Sequence, residues 1–192
     1  MSACVLIRHG ATDMAGRFCG HSDPPLNRTG RIQIERAASM LSVAPQVIYS
    51  SDLLRARQSA AILSSHLAVP VQVRPGLREI GSGQWEGLSW QEIEQRFHPE
   101  SQAWMERFPA GVIPDGERYD VFRERVRQEI KFLSVEAKSR TVVAVTHGGF
   151  MRTALQDVYG ISSDPAHQLS AAFAATVDLS QLHLGAQQNA GI

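Results

Sequence analysis

The chain has 192 residues, 43% hydrophobic and 20% charged, a size that suits one domain, residues 1–192, with its own core. Nineteen Lys and Arg residues balance nineteen Asp and Glu residues, which argues against a general nucleic-acid binder or a polybasic membrane anchor but leaves room for a locally basic pocket. No apolar run approaches membrane-spanning length, and the opening MSACVLIRHG has neither the basic leader nor the apolar length of a signal peptide.

Cys4–Ile7 reads as a buried strand, followed by a Gly-, Asp- and Pro-containing loop over 10–26. Asn27 is placed to cap a helix running to about Val43 and stopped by Pro45. QVIYS is a second strand, and Ser51 or Asp52 stands where a cap opens the next helix. The apolar positions Leu53, Ala56, Ala60, Leu63 and Leu67 of that helix keep helical spacing. VPVQV is a third strand, and residues 76–87 form a Gly-containing connection. SWQE, Ser89–Glu92, is a capping box for a short helix that ends before Pro99. Ser101–Phe108 reads as another short helix, with 109–116 as loop, so the segment 89–116 is the expected lid or insert. A long helix follows over Glu117–Lys138. Its alternating Arg and Glu residues from Arg118 to Glu129 read as a solvated face. Thr141–Thr146 is a buried strand, Phe150–Val158 a helix closed by Gly160, and Ala175–Leu179 a last strand. The tail GAQQNAGI reads as frayed.

Strands that alternate with helices predict an α/β domain with a largely parallel sheet covered on both faces. In such sheets the ligand crevice lies outside the carboxyl ends of the strands. That rim receives Arg8 and His9 from the first strand, Arg55 from the turn after the second, and His147 from the strand before Gly148. Two arginines near a helix start make an anion site, because the guanidinium fork matches phosphate oxygens. A neutral histidine among them can act as a nucleophile toward phosphorus, and a carboxylic acid is then needed to protonate the leaving oxygen. Glu79, Glu86 and Asp13 all stand in suitable loops. His9 and His147 have no HxH or HxxxH partners, so they make a poor metal site. Cys4 reads as a buried small hydrophobe. Cys4 and Cys19 give neither a disulfide framework nor a zinc motif, and the expected setting is the cytoplasm.

Five stretches in order, LIRHGATD, GRFCGHSDPPLNRTGRIQ, SSDLLRARQSA, LREIGSGQWEGLS and VVAVTHGGFMR, resemble the motifs of the histidine phosphatase superfamily, to which the cofactor-dependent phosphoglycerate mutases belong. The likeness spans about Val5–Leu155. It implies a three-layer α/β/α sandwich with a mostly parallel sheet. It implies that His9 is the phosphorylated nucleophile and that Arg8, Arg55 and His147 hold the phosphoryl group. Glu79 becomes the acid and then the base, Gly148 adds to the substrate site, and no metal or cofactor is required. His21 is expected to line the pocket on its own loop's account, because Gly20 and Asp23-Pro24 keep that loop near the rim. The acid loop EIGSGQWEG and the short chain resemble the phosphatase branch, with a phosphoglycerate mutase-type transferase and a non-catalytic phosphate-ligand sensor as the competing readings. Within that branch AGRFCGHSDPPLN is most similar to the α-ribazole-5′-phosphate phosphatases of cobalamin biosynthesis. The expected partner is a small phosphorylated metabolite, with no nucleic acid or membrane; the sequence leaves the oligomeric state open. Two positions depart from the family pattern. Met14-Ala15 stands where the family often has an asparagine, and Arg118 follows Gly116-Glu117 where the family usually has a serine.

Overall fold

A computed structural model describes residues 2–182. Its core is a five-stranded sheet of β1 (Cys4–Arg8), β2 (Val47–Ser50), β3 (Val71–Val73), β4 (Val142–Thr146) and β5 (Thr176–Asp178), in the order β3-β2-β4-β1-β5. The first four strands are mutually parallel where they pair, and β5 runs antiparallel to β1 at the edge. Arg8 pairs with Thr146, and Ser50 with Val145, so three strands end level with one another. The residues that follow them, His9, Ser51 and His147, therefore emerge together on one rim.

Alternation along the strands builds the layers. Val5, Ile7, Ile48, Val143 and Val145 pack under α1 (Arg28–Met40) and α2 (Leu54–Leu67), through Ile34, Ala38, Ala56, Ala60 and Leu63. Leu6, Tyr49, Val142 and Ala144 face the other way, onto α5 (Tyr119–Glu136) and α6 (Gly148–Asp157), through Phe122, Val126, Phe150 and Ala154. The result is the expected three-layer α/β/α sandwich. Cys4 is buried, as its strand position requires.

Asn27 caps α1 through its Oδ1, which accepts from Gly30 N at 2.8 Å. The capping box at Ser89 is complete and opens α3 (Trp90–Arg96). Four expectations shift. The cap of α2 is Leu53, without a side-chain bond, because Asp52 is committed to a bidentate pair with Arg78 and Ser51 Oγ serves Leu53 N from outside the helix. The helix expected at Ser101 begins earlier, as α4 (His98–Glu106), with Pro99 in its first turn, where its missing N–H costs nothing. A further helix, α7 (Ser163–Ala171), forms from a polar stretch that buries only Ala166 and Ser170. The long helix does not present a merely solvated charged face: Glu129 is buried against Arg74, Arg123 pairs with Asp157, and Arg125 pairs with Glu117. The tail expected to fray, 185–192, lies outside the described residues.

Candidate active site

The loop after β1 turns tightly because Gly10 and Gly30 lie back to back; a Cβ at Gly10 would stand 2.3 Å from the Gly30 carbonyl oxygen. This holds His9 in the rim, 6% exposed. Its Nδ1 lies 2.7 Å from the Gly10 carbonyl, which can only accept, so Nδ1 carries the proton. Its Nε2 faces Arg55 Nε–H at 3.2 Å, a group that can only donate. Both neighbours therefore select the neutral tautomer with its lone pair on Nε2. Burial first, then the Arg55 and Arg8 charges, push the imidazole down to about 3 against the bond to Gly10.

Arg55 stands in the first turn of α2, 1% exposed. Its guanidinium donates to the carbonyls of Ser22 at 2.6 Å, Gly20 at 2.8 Å and Cys19 at 3.1 Å. His147 is fully buried; its ring lies 5.0 Å from that of His9, and its Nε2 is 2.9 Å from Ser51 Oγ. Burial, and the charges of the neighbouring cationic groups, hold it well below the usual histidine range. Arg8 donates to the Ala171 carbonyl, and its Cζ lies 4.3 Å from the centre of the Phe173 ring, which in turn lies 5.7 Å from the His9 ring. Among the described residues neither Arg8 nor Arg55 has an ion-pair partner. Arg8 Nε and His147 Nδ1 are buried without a hydrogen-bond partner. Two cations without an ion-pair partner and two orphaned nitrogens around a neutral imidazole are an arrangement that can receive an anion.

The three carboxylate candidates separate cleanly. Glu79 reaches across to the start of α6, where its Oε2 accepts from Gly149 N at 2.8 Å, while Oε1 accepts from Ile80 N at 3.0 Å. Gly149 is required there, since a Cβ would stand 2.3 Å from Glu79 Oε1. Glu86 is consumed by structure: its oxygens accept from the amides of Gly20, His21, Ser22 and Ser82 and from Ser22 Oγ. Burial pushes its carboxyl up, but these bonds outweigh the burial and hold it below the ordinary value. Asp13 is exposed and accepts from Asn27 Nδ2.

Gly148 opens α6 directly after His147, and Arg8 lies against it, 3.1 Å from where a Cβ would be. His21 is exposed at the rim and donates from Nε2 to the Glu79 carbonyl at 3.1 Å. The chain thus brings Arg8, His9, Arg55, Glu79, His147, Gly148 and His21 to one end of the sheet. Ala15 is exposed in a turn and has no side-chain donor to offer, and Arg118 pairs with Asp120 at the surface. Sequence reading gave Ser51 only a capping role and did not place Phe173 at the rim, since Phe173 arrives from far along the chain. Among the described residues no three His, Cys, Asp or Glu side chains gather as metal ligands would, and no helix is long and apolar enough to cross a membrane.

A parallel α/β sandwich with this anion site at its strand ends defines a phosphoryl-handling class of protein. Residues 4–190 match the family described as histidine phosphatase superfamily (branch 1), and the chain belongs to it as an enzyme of the phosphomonoesterase kind. It is 28% identical over 162 residues to an adenosylcobalamin/alpha-ribazole phosphatase of Escherichia coli (strain K12), covering 83% of this chain and 80% of that protein. It is 32% identical over 154 residues to a metal-independent phosphoserine phosphatase of Arabidopsis thaliana, covering 77% of this chain and 65% of that protein. The crystal structure of the alpha-ribazole phosphatase from Shigella flexneri superposes with a TM-score of 0.80 at 25% identity, covering 91% of this chain and 88% of that one.

Proposed function

We propose that the protein hydrolyses a small phosphomonoester in two displacements through phospho-His9, without a metal. The observation that carries this reading is the Nε2 lone pair of His9, fixed by the Gly10 carbonyl and facing Arg55. In the first step Nε2 attacks phosphorus and the ester P–O bond breaks. The carboxylic acid of Glu79 gives its proton to the leaving oxygen, and the alcohol departs. Arg8, Arg55 and His147 Nδ1 take up the phosphoryl oxygens, which gives the orphaned nitrogens their partners. In the second step the Glu79 carboxylate accepts a proton from water as the water oxygen attacks phosphorus. The N–P bond breaks, inorganic phosphate leaves, and neutral His9 returns.

The leaving group has a place to go. A cavity of about 670 Å³ adjoins Gly149 and Ile80 and is walled by Phe18, Trp104, Phe108 and Arg152. Aromatic walls favour a flat apolar body. Together with the α-ribazole phosphatases among its relatives, they favour α-ribazole 5′-phosphate as substrate, in the cytoplasm, where the free thiols of Cys4 and Cys19 remain reduced. The test is phosphate release in EDTA from an aryl phosphate, α-ribazole 5′-phosphate and phosphoserine, by native protein and by His9→Ala. Metal-free release abolished in His9→Ala is the expected result; release that survives the substitution refutes the mechanism. A kcat/KM higher for phosphoserine than for α-ribazole 5′-phosphate refutes the substrate.

A further inference from the structure

Glu79 stands in a segment without regular structure, between a single 3-10 turn (Pro75–Leu77) and Gly81. A catalytic carboxylate in such a segment needs external support, because displacements near 1 Å cost about a hundredfold in rate. Each carbonyl from Gly76 to Glu79 is held by a side chain from elsewhere. Arg125 Nη1 donates to Gly76 O and Arg78 O, both at 2.8 Å, and Nη2 to Glu79 O at 3.3 Å. Thr146 Oγ1 donates to Leu77 O at 2.8 Å. One guanidinium on α5 therefore grips three of the four carbonyls. Glu117 holds that guanidinium in turn, accepting from Nη2 at 2.7 Å and from Nε at 3.1 Å. The same residue binds both ends of the Gly81 peptide, accepting from Gly81 N at 3.2 Å and donating from its own N to Gly81 O at 2.9 Å. Both side chains are largely buried, at 22% and 16% exposure.

We propose that Arg125 and Glu117 are a positioning pair for the catalytic acid. They clamp the segment on both sides of Glu79, so that the carboxyl group meets the leaving oxygen and later the attacking water. This rests on the phosphohistidine mechanism above. Arg125 acts through the backbone it holds, and Glu117, which also lines the cavity described above, acts through Arg125 and Gly81. A planar fork is needed at Arg125, since an ammonium cannot reach three carbonyls at once.

The test compares leaving groups. Phosphohistidine formation is followed by rapid quench in single turnovers of native protein, Arg125→Lys, Arg125→Gln and Glu117→Gln, with p-nitrophenyl phosphate and with a simple alkyl phosphate. Nitrophenolate leaves without a proton, whereas an alkoxide needs one. The expected result is a loss of about tenfold to a hundredfold with the alkyl ester and less than about threefold with the aryl ester, while inorganic phosphate binds as in the native protein. Arg125→Lys is expected to resemble Arg125→Gln. Equal losses with both esters, or full activity in Arg125→Lys, overturn the proposal. If Arg125→Gln does not fold, Arg125→Lys and Glu117→Gln carry the same comparison. His9→Ala, run beside them, separates the two claims. Activity surviving there overturns both, whereas its loss there, with no leaving-group difference in the clamp variants, overturns the clamp alone.

Discussion

Arg55 Nε donates to His9 Nε2 at 3.2 Å, so a buried cation covers the lone pair of a buried neutral imidazole. Such a pair resists protonation: burial and the Arg55 charge bring His9 from its ordinary 6.5 down to about 3, and His147 is lowered too. The sign of the linkage follows. Between the folded and unfolded values the unfolded chain binds more protons, so stability rises with pH. The contribution is fully present above about 6.5 and is lost as pH falls from there toward 3. Denaturant titrations from pH 7 to pH 4 are expected to show a slope of up to about 1.4 kcal/mol per pH unit for each such proton. His9→Gln is expected to flatten it. An unchanged slope would show that His9 takes up its proton over the same pH range in the folded and the unfolded protein.

Arg55 serves the fold, and the proposed mechanism also gives it the anion. Its guanidinium satisfies the carbonyls of Cys19, Gly20 and Ser22. Arg55→Lys keeps the charge but not the fork, so both roles weaken. The expected cost is about 1–3 kcal/mol of stability and about a hundredfold in kcat. Inorganic phosphate or vanadate is expected to raise the Tm of the native protein and to do so much less in the variant. An equal ligand-induced rise in both proteins would remove Arg55 from the anion site.

Glu79 and Glu86 stand seven residues apart in one loop, and the structure gives them different surroundings. Glu79→Gln is expected to lower kcat for alkyl phosphates by about 10²–10⁴ and to leave stability nearly unchanged. Glu86→Gln places an amide N–H₂ among four donor N–H groups and the Ser22 hydroxyl. It is expected to cost about 1–3 kcal/mol of stability while the folded fraction keeps most of its activity. Calorimetry and active-site-normalised kcat check both. The reverse pattern would make Glu86 the acid.

The strand ends were legible because a β-branched run stopped by His-Gly is a local signal, and parallel topology then brings such ends together. His9 and His147 follow from that rule, with Arg8 beside the first of them; Arg55 lies past the second strand, in the first turn of α2, and it was the resemblance to the histidine phosphatases that singled out the four together. The choice between Glu79 and Glu86 was not local: it depends on which carboxylate meets the amides of 20–22, and that loop is some 60 residues distant in sequence. Arg125 reads as one more charge on a helix because its partners are backbone carbonyls, which leave no mark in a sequence. Helix α7 was invisible because its stretch shows little apolar periodicity and forms against α6 through tertiary contact.

Gly149 offers the sharpest geometric test of the acid. It sits in the first turn of α6, where alanine favours the helix by about 1 kcal/mol over glycine. A methyl group there would nevertheless lie 2.3 Å from Glu79 Oε1 and 3.0 Å from Cδ. The carboxylate must then swing away and give up its bond to the Gly149 amide. Gly149→Ala is therefore expected to fold with a Tm near native while kcat for an alkyl phosphate falls about a hundredfold or more. An aryl phosphate, which needs less help from an acid, is expected to lose less in its phosphorylation step. Native kcat in a folded Gly149→Ala protein would mean that the acid works from another place than the one Glu79 occupies here.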